Sequence, residues 1–148
     1  MDFSGYGIKW RTSFKDLNGQ TSVVDIYEDG WSSDPIMLTA GQDPLETEWD
    51  DTQDIMTPLR MGSGNLRVIN EGNLDGLMPT TTLLHLVKVS VGGIVKWVGF
   101  IQTQQFSHEM FLPLDTATYG LNDMLSGLDT IAMDRTVDFN LQTFGSLL

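Results

Sequence analysis

The sequence predicts a mainly β protein, an antiparallel sandwich or barrel of about eight strands with one short C-terminal helix. Three observations carry that expectation. Tyr6 to Phe14 alternates apolar and polar residues, and an Asn-Gly pair follows it. Thr80–Ser90 and Ile94–Thr103 are dense in β-branched and aromatic residues and are joined by Gly92-Gly93. Helical spacing occurs in one place, Tyr119 to Leu128.

The first strand places Tyr6, Ile8, Trp10, Thr12 and Phe14 on one side, against Gly7, Lys9, Arg11 and Ser13. A period of two over this length is a half-buried strand with a wet outer face. Asn18-Gly19 supplies the positive φ angles of a tight hairpin, and Ser22–Glu28 is the returning strand. Asp29–Pro35 is turn chemistry. Ile36–Ala40 forms a short strand that Gly41-Gln42-Asp43-Pro44 breaks, and Leu45, Thr47 and Trp49 start another. Asn65–Asn70 is strand and Glu71–Pro79 is loop. The Gly92-Gly93 hairpin has the apolar density of a sheet centre, with loop over Gln104–Glu109. Met110–Thr118 is a further strand, interrupted at Pro113. Leu121, Met124, Leu125 and Leu128 then share one helix face, with Asn122 and Asp123 in the first turn. The boundaries this gives are a β domain over residues 1–128 and a weakly patterned tail over 129–148, expected to pack on a neighbour.

The composition is that of a globular chain: 148 residues, 41% hydrophobic and 19% charged. No apolar run is long enough for a membrane-spanning helix, and no membrane insertion is expected. The first ten residues lack the basic flank and apolar core of a signal peptide, so cytoplasmic synthesis is expected. With no cysteine, disulfides, thiolate metal sites and cysteine nucleophiles are excluded together. Eight basic against 20 acidic residues argue against nucleic acid as a partner.

Candidate chemistry fails on inspection. Asp43, Glu46, Glu48, Asp50, Asp51 and Asp54 crowd one segment without a Lys or Arg. Asp50, Asp51 and Asp54 could converge on Ca²⁺, but the spacing is not that of an EF-hand, and a solvated turn fits better. No carboxylate pair is marked as the buried acid and ionised partner of a glycosidase. His85, between Leu84 and Leu86, is expected to point outwards, and His108 lies in a loop; neither has a companion at metal-pair spacing. Gly62-Ser63-Gly64 is one residue short of a nucleophile elbow, and no lysine follows to make a phosphate loop. Of four tryptophans, Trp10, Trp49 and Trp97 sit in apolar strand phases and are expected in the core; Trp31 is the candidate surface contact. No catalytic role, cofactor or metal is assigned.

One ordered set of motifs remains. Asn18-Gly19 is followed by Asp43-Pro44-Leu45 to Trp49, then by Asp50-Asp51 and Asp54-Ile55. Pro58-Leu59-Arg60-Met61-Gly62-Ser63, Leu66–Ile69 and Trp97-Val98-Gly99-Phe100-Ile101 come next, and Ala117-Thr118-Tyr119-Gly120-Leu121 closes the series. In this succession the chain resembles the N-terminal β domain of phage tail proteins common in prophages of Bacteroidetes, over roughly Tyr6 to Leu128. Tyr119 departs from the family's aspartate, and with it goes a helix-capping carboxylate.

The resemblance implies a structural subunit of the virion tail tip, a distal tail or hub protein of the baseplate. It would assemble with itself as a ring of three or six and with other tail proteins, through edge strands and loops. It also implies framework roles for Trp49, Pro58, Gly62, Trp97, Gly99 and Gly120, with Trp31, Asp50, Asp51 and Asp54 as surface contacts. The rival reading is a β module that binds carbohydrate or a host surface through Trp31 and its neighbouring loops. Family members usually continue past this point, so the chain is either a short relative or a leading domain.

Overall fold

The computed structural model of the chain describes residues 5–49, 62–81, 84–108 and 115–124. Eight strands follow one another: β1 Tyr6–Lys15, β2 Thr21–Asp29, β3 Ile36–Met37, β4 Ala40–Trp49, β5 Gly62–Ile69, β6 His85–Val91, β7 Ile94–His108 and β8 Thr116–Asp123. They form one sheet in the order β3-β1-β2-β6-β7-β8-β5-β4. Every neighbouring pair is antiparallel except β1 with β3.

The two outermost strands of that order, β3 and β4, are separated in sequence by Leu38 and Thr39 alone. Leu38 N–H donates to the Arg11 carbonyl at 2.8 Å, and Ile69 N–H donates to the Thr39 carbonyl at 2.9 Å. Consecutive residues thus bond to opposite edges, and the sheet closes on itself as a barrel. Taken as one bent strand, β3 and β4 reduce the eight strands to a ring of seven. Strict alternation of direction cannot close an odd ring, so one parallel contact is required, and β1–β3 supplies it.

Alternate residues fill the interior. Trp10, Val24, Ile26, Leu66, Val68, Val87, Val89, Trp97, Ile101, Ala117, Tyr119 and Leu121 form one buried cluster drawn from six strands, with Leu38 and Leu77 closing over it. The two expected hairpins are present. Asp16 accepts backbone N–H bonds from Asn18 at 2.9 Å and Gln20 at 2.7 Å around the first turn. Gly92 and Gly93 have φ angles of 57° and 82° in the second.

Four expectations about the elements change. The first strand carries a bulge: Ile8 faces Tyr27 and Trp10 faces Ile26, leaving Lys9 over. The extra residue flips the phase, so Trp10 and Thr12 point inwards while Tyr6 and Ile8 lie on the outer face with Tyr27. Gly41–Pro44 does not end a strand. β4 runs through it with an irregularity between Ala40 and Leu45, where Asp43 has a φ of 47° and Arg67 donates to the Asp43 carbonyl at 2.9 Å. Proline is tolerated there because a bulged residue owes the ladder no N–H. The residues expected as loop at 104–108 extend β7.

The fourth change concerns the helix. Tyr119–Asp123 belongs to β8, which pairs with β5 on one side and β7 on the other. Ala117, Tyr119 and Leu121 alternate inwards, and the backbone bonds to two neighbours outweigh a local helical period. The rest of that expected helix, 125–128, lies outside the described residues, as do 110–114 of the preceding strand and the tail at 129–148.

The closing residues should matter more than their neighbours. Leu38→Ala removes a buried side chain at the join and is expected to cost about 2–5 kcal/mol. Met37→Ala, 58% exposed one residue earlier, should change stability by no more than about 0.5 kcal/mol. Urea unfolding midpoints of the two variants measure the contrast.

Candidate functional site

Residues of the ordered motifs meet at one mouth of the barrel, where β1, β4, β6 and β8 end. Trp49 pairs with Gly62 across β4 and β5, and Gly99 of β7 pairs with Asp123 of β8. The Gly62 N–H donates to Asp123 Oδ2 at 2.5 Å, tying the start of β5 to the end of β8. A Cβ on Gly62 would lie 3.3 Å from the Trp49 ring and 3.3 Å from Trp97 Nε1, so the two indoles flank this glycine. On Gly99 it would fall on the Asn122 carbonyl oxygen and inside the Trp97 ring. The Trp97 indole therefore lies flat over Gly99, in space that only a missing side chain leaves open.

Three of the expected framework residues, Gly62, Trp97 and Gly99, are thus buried together. Gly120 is buried in β8 opposite Asn65. Trp49 corrects its expectation. It faces the mouth but stands 56% exposed at the end of β4, because the strand runs out before a facing layer covers it. Pro58, Asp50, Asp51 and Asp54 lie outside the described residues.

The Trp49 rim belongs to an end rich in exposed apolar groups. Leu17 at the tip of the β1–β2 turn is fully exposed, and Ile94 and Val95, at the start of β7, are 63% and 51% exposed. The Gly92 N–H donates to the Thr21 carbonyl at 3.0 Å, which holds the two hairpin tips side by side.

The opposite mouth contains a polar cluster. His85 is fully buried, not outward, and packs edge-on against Trp10 with ring centroids 5.1 Å apart. Its Nε2–H donates to the Gly76 carbonyl at 2.8 Å, so the loop from Asn70 to Thr81 is pinned by a neutral ring with a bare Nδ1. Burial lowers the His85 pKa; the Gly76 bond and Glu28 oppose that, and Lys9 adds to it. Lys9, the bulged residue, pairs with Glu28 and lies over the rings of Trp10 at 4.5 Å and Trp31 at 5.0 Å. Trp31, expected as a surface contact, is half-buried under this cation.

The inward phase of His85 has a physical reason. β6 is buried on both faces, with outward Leu86 9% exposed, so hydrophobicity does not reveal which side is in. The available signal was that His85 shares its phase with Val87 and Val89.

Among the described residues, no group of three His, Asp or Glu side chains could hold a metal ion, and no helix is long and apolar enough to cross a membrane. His108 lies at the end of β7. No protein-family model matches the chain, and no curated protein or solved structure is significantly similar to it.

Two outcomes follow from this geometry. Gly99→Ala is expected to destabilise by about 2–3 kcal/mol, whereas Ser63→Ala, exposed on β5, should be neutral; thermal melts read both. The second concerns pH. His85 has a folded pKa below the ordinary 6.5, so the unfolded chain takes up its proton first. Its contribution to stability is complete above pH 6.5 and falls away as the pH drops below that value. Urea midpoints measured from neutral pH down to about pH 5, above the range of ordinary carboxylates, should show this fall, and His85→Gln should flatten it.

Proposed function

We propose that the chain is a structural subunit of a phage or prophage tail tip, of the distal tail or hub type, that assembles with copies of itself around the tail axis. The observation that carries the reading is the apolar end of the barrel. Leu17, Trp49, Ile94 and Val95 are exposed there on two joined hairpins and a strand end. Exposed apolar groups gathered at one end are the mark of a surface that is covered in use. The ordered motifs support the same reading, since their Trp49, Gly62, Trp97 and Gly99 converge on that end as scaffold.

The contact differs from simple edge pairing. Among the described residues, β4 over Leu45–Trp49 has β5 as its one partner strand. That strand carries Pro44, Glu46 and Glu48, which discourage strand addition. Subunits therefore meet through the barrel end, in the heterologous contacts of a closed ring of three or six. The net charge of -12 keeps free subunits soluble before they assemble.

A carbohydrate-binding module is the second reading. Trp49 favours it, as an exposed indole at a barrel mouth, whereas Trp31 is occupied by Lys9. Light scattering on the purified chain should give a trimer or hexamer, and Ile94→Glu with Leu17→Glu should reduce it to a monomer. Glycan arrays should stay silent. A monomer at every concentration that binds glycans, and loses them in Trp49→Ala, overturns the tail-subunit reading.

A further inference from the structure

The outer wall of the barrel is apolar where an antiparallel sheet normally faces water. On β1, β2, β6 and β7 the outward residues Tyr6, Tyr27, Leu86 and Val98 line a groove of about 220 Å³, with Lys88 and Met124 at its sides. Lys88 Nζ sits 5.2 Å from the Tyr27 ring centroid, so its stem adds to the apolar wall. Beside Leu86, the outward Phe100 is only 3% exposed. Val98, by contrast, stands 45% exposed at the groove.

Met124 identifies the occupant. It is the residue directly after β8, and it already lies against the groove. The chain continues from it for the 24 residues 125–148. Within them Val137, Phe139 and Leu141 occupy odd positions and Asp138, Asn140 and Gln142 even ones, and the alternation starts only after Arg135, which interrupts the same phase behind Ile131 and Met133. A period of two gives an extended segment one apolar and one polar side. At roughly 3.3 Å per residue the distance from Met124 is no obstacle. Charge agrees: Arg11 and Lys88 project from this wall and share the single carboxylate of Asp25, at 2.6 Å and 3.7 Å, leaving one cation in excess beside the groove.

We propose that the C-terminal segment of the chain docks in its own barrel's outer groove, with the Val137, Phe139 and Leu141 side against Tyr27, Leu86 and Val98. The polar side, with Asp134 and Asp138, then faces water, and Arg11 and Lys88 flank the docked segment. This makes the tail a second layer over β6 and β7. It is separate from the apolar end of the barrel and does not depend on the tail-subunit reading.

The absence of cysteine makes the test clean, since any disulfide formed is an introduced one. Full-length chains carry Val98→Cys together with Val137→Cys, Phe139→Cys or Leu141→Cys, one pair at a time. Mild oxidation should shift at least one of the three to faster non-reducing mobility as a monomer, independent of protein concentration. Met78→Cys, exposed in the loop before β6, replaces Val98→Cys as the control and should give no shift. All changes fall on exposed or tail positions, and far-ultraviolet circular dichroism verifies the fold. Cross-linked dimers in place of the monomer shift mean that the tail reaches another copy, and overturn the proposal. No shift in any of the three pairs, or an equal shift in the Met78→Cys control, overturns it as well.

Discussion

The join at Leu38 and Thr39 is the constraint on which the rest of the molecule depends. One residue donates its backbone N–H to β1 and the carbonyl of the next accepts from β5. Without that exchange the same strands form an open sheet with two long unpaired edges and a one-sided core. With it, Trp10 from one edge and Leu66 from the other share a single interior. The join also forces the parallel contact of β3 with β1, and it accounts for the bend that puts Asp43 at positive φ. Arg67 then braces the bend through the Asp43 carbonyl and the Glu46 carboxylate, the latter at 2.9 Å.

The two mouths of the barrel are built in opposite ways. At one, glycines make room for the Trp97 indole, and Asp123 ties two strands together below an apolar rim. At the other, a bulged lysine, a glutamate and a neutral histidine sit under a pinned loop. Buried polar groups without partners raise the cost of that second arrangement: Thr12 Oγ1, Trp10 Nε1 and His85 Nδ1 have no hydrogen-bond partner among the described residues. The molecule is thus polarised along its axis.

What could be read from the sequence was what local chemistry decides. Asn18-Gly19 and Gly92-Gly93 define their hairpins by backbone conformation alone, and the all-β class follows from composition and period. The errors fall where distant pairing decides. Lys9 is an extra residue only because β2 holds a register against it, and nothing in Tyr6–Phe14 announces the bulge. Pro44 reads as a strand breaker until β5 is there to accommodate a bend. Leu121 fits a helix until β5 and β7 claim the same backbone. His85 and Trp49 exchanged their expected places for a related reason: one sits on a strand buried on both sides, the other on a strand that outruns its cover. The Trp97–Gly99 pair was legible as a motif, but its meaning, a ring laid flat over a glycine, required the fold.

The short bridge between β3 and β4 has a consequence for the way copies of the chain can combine. It spans two residues and bonds to partners about thirty positions away in sequence on either side. Contacts that distant must close a long loop before they form. An opened barrel presents β1 and β5 as matched edges, and the same bridge from a second molecule fits them as well as the original does. Strand exchange would then link barrels using only bonds that the monomer already makes. The feature that seals one molecule is equally a hinge by which two could be spliced.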